Sequence, residues 1–236
     1  MELILGNVIK GGIFMESREI LLAVALKCNN DWNRIYSYLS DNPQHIEESL
    51  TEEDIARAKN FTGNYVSFLD AEYPERLKQK PKPPFVLYYE GDINLLKRVD
   101  ENGCKNHLVF LHGPNCFNIP QTDLCVITDD NKIDICGGLK VWFNTDSMSV
   151  DRYGLAAGLC YNIVGTKEYN LNSRSWFLGI TVANAIYLGA NVFLKPTTFP
   201  SYNNKLIKEG CFLIDSYSDI RISAQENTSG ESNLEF

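Results

Sequence analysis

FLDAEYPERLKQKPKPPFVLYYEGDINLL, residues 68–96, holds more conformationally restricted residues than any other part of the chain, and the fold is read outward from it. Tyr73-Pro74 begins a turn, because proline fixes its own φ and pushes the preceding residue out of the helical region. Glu75 to Lys80 is long enough for one helical turn with Leu77 as its apolar contact. Pro81, Pro83 and Pro84 then forbid helix and hold the backbone extended, so Phe85 to Tyr89, rich in β-formers, leaves this clamp as a strand. Glu90-Gly91-Asp92 ends that strand in a turn.

Before the arm the pattern is helical. Residues 1–14 are apolar but broken by Gly6 and Gly11-Gly12, which favours a strand or loose lead-in. Ser17 is placed to cap a helix carrying Ile20, Leu21, Val24 and Ala25 on one face, and Asn29-Asn30 stops it. Asp31 caps a second helix with a stripe of Trp32, Ile35, Tyr36 and Leu39. Thr51, followed by Glu52, Glu53 and Asp54, starts a third that runs to about Lys59.

After the arm, strands and helices alternate. His107 to Leu111 reads as a buried parallel strand that runs into Gly113, a junction that exposes backbone N–H groups where a phosphate can sit. Asp123–Thr128 and Lys132–Cys136 are two short strands joined by the hairpin signal Asp129-Asp130-Asn131, and Leu139–Phe143 is another strand. Arg152 to Cys160 is helical, Tyr161–Gly165 a strand, and Asn172 to Ser175 the cap of a helix ending at Gly189. Asn191–Lys195 is a strand stopped by Pro196. Residues 223–236 are polar and expected to be disordered.

The order of a Tyr-Pro turn, a short helix ending in leucine, a proline clamp, an apolar strand, glycine and Leu95-Leu96 resembles the entry segment of the DNA processing protein A family, DprA or Smf. The resemblance resumes at Arg152-Tyr153-Gly154-Leu155-Ala156-Ala157-Gly158-Leu159, similar to the family's Arg-Asn-Arg-Ile-Ile-Ala-Gly-Leu, and at Asn203 to Cys211, similar to its closing segment. It implies an α/β fold, an abbreviated Rossmann-like parallel (mixed) sheet with a small N-terminal helical module. Residues 1–66 form that module, 67–222 a DprA-like Rossmann-type domain and 223–236 the tail. The chain departs from the family in two places. Where the family has Val-Gly-Ser/Thr-Arg, this sequence has His112-Gly113-Pro114-Asn115, and no Ser-Gly-Leu-Ala-x-Gly-Ile-Asp motif follows. Without that middle section the helices covering one sheet face are missing, and a partner is the expected cover.

The resemblance implies a binder of single-stranded DNA that supports recombinase loading in recombination or DNA uptake. Its expected partners are single-stranded DNA, a RecA-type recombinase and further copies of the chain in a homo-oligomer. Gly113, Asn115, Arg152, Lys167 and Arg174 would line a phosphate pocket at the carboxyl ends of the strands, with Tyr153 or Trp176 stacking on bases. The other reading is a degenerate module that keeps the fold for protein–protein contacts or for a nucleotide-like ligand. Net charge −8 and a pI near 5.0 argue against a protein that coats DNA nonspecifically, since that needs many cation–phosphate contacts. Basic residues do gather at Arg76, Lys78, Lys80, Lys82, Lys97 and Arg98.

No Walker loop, no GxGxxG and no Gly-Gly-x-Gly-Thr signature occurs, and the histidines are His45, His107 and His112. No enzymatic activity, cofactor or metal is expected. The seven cysteines are odd in number and never fall in CxxC spacing, the usage of small core residues in a reducing compartment. With no apolar run long enough to span a membrane and no cationic-then-apolar leader, a cytoplasmic protein is expected.

Overall fold

The computed structural model describes residues 8–10, 13–41, 46–80, 82–97, 108–143, 151–169 and 182–220. The chain forms two compact units, residues 1–91 with 141–149, and residues 92–140 with 150–236.

The first unit opens with strands β1 (Val8–Lys10) and β2 (Ile13–Met15), paired antiparallel with Ile9 opposite Phe14. Helix α1 (Ser17–Lys27) buries Ile20 to Ala25 almost completely. Its cap is Glu16 rather than Ser17: the Glu16 amide donates to Glu19 Oε2 at 2.8 Å, which leaves Ser17 as the first helical residue. Asn29 and Asn30 take φ of 53° and 57°, the left-handed conformation that asparagine tolerates, and end the helix as the sequence indicates. Helix α2 (Trp32–Asp41) starts where Asp31 Oδ1 accepts from the Arg34 amide at 2.9 Å, and it buries Ile35 and Leu39. Helix α3 (Glu52–Lys59) carries the expected Thr51 cap, with the Asp54 amide donating to Thr51 Oγ1 at 3.2 Å. Ion pairs tie it to α1, Lys27 Nζ to Asp54 at 2.5 Å and Lys59 Nζ to Glu19 at 2.7 Å.

Strand β3 (Asn64–Ser67) leads into the arm, where helix α4 (Glu75–Lys78) is the single turn that Leu77 anchors. The clamp then delivers β4 (Val86–Gly91), antiparallel to β3 with Val66 opposite Leu87. Two hydroxyls hold the prolines: Tyr73 donates to the Pro84 carbonyl at 2.5 Å, and Tyr36 of α2 donates to the Pro83 carbonyl at 2.9 Å. Phe85, Val86 and Tyr88 are buried in the same core as Leu21, Val24, Leu39 and Ile55. The expected boundary between residues 66 and 67 therefore does not separate the arm from the helices. The arm is part of their core, and the compact unit runs on to Gly91.

The second unit is built on β5 (Val109–His112), β6 (Leu124–Ile127), β7 (Ile133–Ile135), β9 (Asn162–Gly165), β10 (Asn191–Leu194) and β11 (Phe212–Leu213); β8 (Leu139–Trp142) carries the chain out of it. The strand order is β11-β10-β9-β5-β6-β7. Every pair is parallel except β6 with β7, so this is the mixed, mainly parallel sheet expected. The β6–β7 hairpin turns at Asn131, whose φ is +62°. Helices α5 (Asp151–Leu159), α6 (Val182–Tyr187) and α7 (Tyr202–Lys208) connect the later strands. Gly189, at φ +68°, ends α6, and the Ala190 amide bonds to the Ala185 carbonyl at 2.7 Å.

One face of this sheet, with Val109, Leu111, Val164 and Phe193, packs against Ile119, Ile214 and Ile220, with Phe117 and Tyr217 partly buried against the same cluster. Tyr217 donates to Asp123 and holds the C-terminal segment over the strands. This face is covered by the chain's own loop and C-terminal segment. The tail from 221 lies outside the described residues.

Candidate functional site

The chain runs β5, then β6 on one side, and returns through α5 to β9 on the other, so the order of strands reverses between β5 and β9. In open parallel sheets the crevice outside the carboxyl ends at such a reversal is where ligands bind. Here that crevice is stitched shut. The Thr166 amide donates to the His112 carbonyl at 3.0 Å and Thr166 Oγ1 to the Pro114 carbonyl at 2.7 Å. Gly113, at φ +118°, lets the two ends approach: a β-carbon there would lie 2.5 Å from Thr166 Oγ1 and 2.7 Å from the Lys167 amide nitrogen.

The open space is one strand over. A cavity of about 420 Å³ lies at the carboxyl ends of β5 and β6, against the first turn of α5. His112, Gly113, Thr128, Asp129, Asn131, Arg152 and Tyr153 supply its polar and aromatic wall. The Arg152 guanidinium donates to Asn131 Oδ1 and lies 5.3 Å from the centre of the Tyr153 ring. A cation beside an aromatic face at the mouth of a cleft suits a phosphate and its base. Asp129 is exposed at the same mouth, and Asp130 turns away to Thr128 and to Lys132, 3.4 Å distant.

Of the residues expected at the site, Gly113, Arg152 and Tyr153 share this cavity. Lys167 abuts Gly113 through its backbone and is exposed, beyond the lining. Asn115 is exposed, but its amide group is taken up within its own loop, bonding the Ile119 amide and carbonyl at 2.9 and 3.0 Å, and it is not part of the cavity lining. Arg174 and Trp176 lie outside the described residues. Asn131 and Thr128 join the wall because a hairpin turn swings them up beside α5. The sequence marks them as turn residues and nothing more.

His112 sits between two tyrosines. Tyr169 Oη is 2.6 Å from Nδ1 with its ring stacked at 5.9 Å, and Tyr153 meets the imidazole edge-on at 5.8 Å. Burial, helped by the Lys167 charge, pushes the imidazole down from 6.5 to about 4, so it is neutral at physiological pH. Above pH 6.5 folded and unfolded states are both neutral and the group contributes no pH dependence. As pH falls from 6.5 toward 4, the unfolded chain takes up a proton that the folded one refuses, and stability drops. Unfolding free energy should therefore be lower near pH 5 than near pH 7, and His112→Gln should lessen that decline. An imidazole resonance titrating at its ordinary value would contradict this. Glu19 and Asp54 act in a lower window: burial, the largest single effect, raises each, but the hydrogen bonds and charges of Lys59 and Lys27, added to hydrogen bonds from the Glu16 amide to Glu19 and from Thr51 to Asp54, hold both below the usual carboxylate range.

No protein-family model matches the chain, and no curated protein sequence matches it. Its structure does have relatives. The crystal structure of DNA processing protein A from Streptococcus pneumoniae aligns with a TM-score of 0.54 at 18% identity, over 86% of this chain and 95% of that one. The chain has a DprA-like fold. DprA of Helicobacter pylori, described as having a unique single-stranded DNA binding mode, aligns with a TM-score of 0.48 at 14% identity, over 70% of this chain and 98% of that one. Within this DprA-like fold the cavity lies at the carboxyl rim of the sheet, beside the glycine junction after β5.

Proposed function

We propose that the chain is a divergent DprA-type protein that binds single-stranded DNA at the carboxyl rim of its sheet. The observation that carries the reading is Arg152 at the first turn of α5, its guanidinium beside Tyr153 and its cavity open at the ends of β5 and β6, in a DprA-like fold. Arg152 would neutralise a phosphate, Tyr153 would offer a ring to a base, and Asn131 would fix the direction of the guanidinium. Neutral His112 is suited to hydrogen bonding rather than to charge. The role is binding, not catalysis, and its setting is recombination or DNA uptake in the cytoplasm, in an oligomer that works with a RecA-type recombinase. Among the described residues no helix is long and apolar enough to cross a membrane.

The exposed carboxylate of Asp129 at the cavity mouth favours a second reading, a polar nucleotide-like ligand in place of a continuous strand. Titration of a fluorescently labelled single strand separates the two. Saturable binding is expected, and a chain that binds mononucleotides but no oligonucleotide rejects the strand-binding reading.

A further inference from the structure

The first unit carries a row of aromatic rings that the proposed site does not use. Trp32 and Tyr36, one turn apart on α2, have ring centres 6.0 Å apart; Tyr36 is 4.8 Å from Phe85, and Phe85 is 6.1 Å from Phe68. Three lysines of the arm lie over this row. Lys80 Nζ is 5.8 Å from the centre of Trp32, Lys82 Nζ 5.7 Å from Tyr36, and Lys78 Nζ 5.7 Å from Phe68. The Tyr36 bond to Pro83 and the tyrosine–proline clamp fix the arm against the rings. Trp32, Tyr36 and Phe68 are only half-buried, and Lys82 is exposed. Of the four cations between residues 75 and 82, Arg76 is buried, Lys78 and Lys80 are half-buried with Lys78 paired to Glu75 at 3.2 Å, and Lys82 is exposed.

We propose that this lysine-covered aromatic row is a second contact surface for single-stranded nucleic acid. The inference rests on the strand-binding reading for its kind of ligand and extends it to the other unit. An ammonium over a ring that solvent can reach is held weakly, whereas a phosphate attracts it through a charge-assisted bond. When a strand arrives, each lysine lifts from its ring to a phosphate, and the uncovered face takes a base. Alternating cations and rings are what sequence-tolerant strand binding requires. The row is local, so it operates despite the acidic balance of the whole chain.

The full-length chain with Lys78→Gln, Lys80→Gln and Lys82→Gln together tests this against a labelled oligothymidine. Each single-strand phosphate contact adds about 0.7 to the slope of log affinity against log salt, so the triple variant should lose about 2 from that slope and bind roughly tenfold more weakly. Independently, the strand should quench tryptophan emission, and Trp32→Phe should remove most of that quench. An unchanged slope in the triple variant together with a full quench in Trp32→Phe overturns the second surface and leaves the cavity reading intact. Arg152→Ala reports on the cavity separately: loss there with an unaltered lysine variant assigns binding to the cavity alone. A wild-type chain with no affinity for the strand overturns both.

Discussion

Gly113→Ala should destabilise the unit that contains it by about 3 kcal/mol and abolish strand binding with it. Two costs add at this position. The backbone sits at φ +118°, where an L side chain is strained, and the new methyl would press on Thr166 Oγ1 at 2.5 Å and on the Lys167 amide nitrogen at 2.7 Å. A hydroxyl can rotate away, but the amide belongs to the turn that follows β9. Relief therefore means parting β5 from β9, and with them the Thr166 bonds to the carbonyls of His112 and Pro114. Chemical denaturation followed by circular dichroism measures the loss. A variant as stable as the parent would show that the two strand ends do not approach as closely as described.

Arg152→Ala should weaken single-strand binding by roughly 10- to 100-fold, the worth of about 1.5–3 kcal/mol for hydrogen bonds to a charged group. Adding Arg174→Ala should take binding below detection. Because Arg152 stands on the first turn of α5, half-buried and hydrogen-bonded to Asn131, its removal should cost little stability. Loss of affinity in a chain that melts like the parent is the expected pattern. Unaltered affinity moves the phosphate site elsewhere.

Much of this architecture was legible because it is local. Prolines 81, 83 and 84 allow little but an extended lead into β4, the Thr51 cap is a side-chain oxygen three residues from its amide, and Asp129-Asp130-Asn131 turns a hairpin through a residue that tolerates positive φ. Contacts between distant residues left no such trace. Tyr88 meets Trp142 at 6.2 Å and Trp32 meets Phe143 at 5.7 Å, so the arm and residues 141–143 belong to the helical core, a pairing that periodicity along the chain does not record. The site shows the same division. Gly113, Arg152 and Tyr153 stand out by residue type and position, and they do share a cavity. That Thr166 closes the neighbouring crevice, and that the Asn115 amide is spent on Ile119 of its own loop, depends on side-chain direction. A polar residue beside a glycine turn reads the same whether it faces ligand or loop.

The salt dependence of single-strand affinity bears most directly on the claim that this rim holds a phosphate backbone. In anisotropy titrations between about 50 and 200 mM salt, binding should weaken steeply and linearly on a log–log plot, with the slope reduced by about 0.7 in Arg152→Ala. Binding that does not respond to salt, or a slope that Arg152→Ala leaves unchanged, would contradict it.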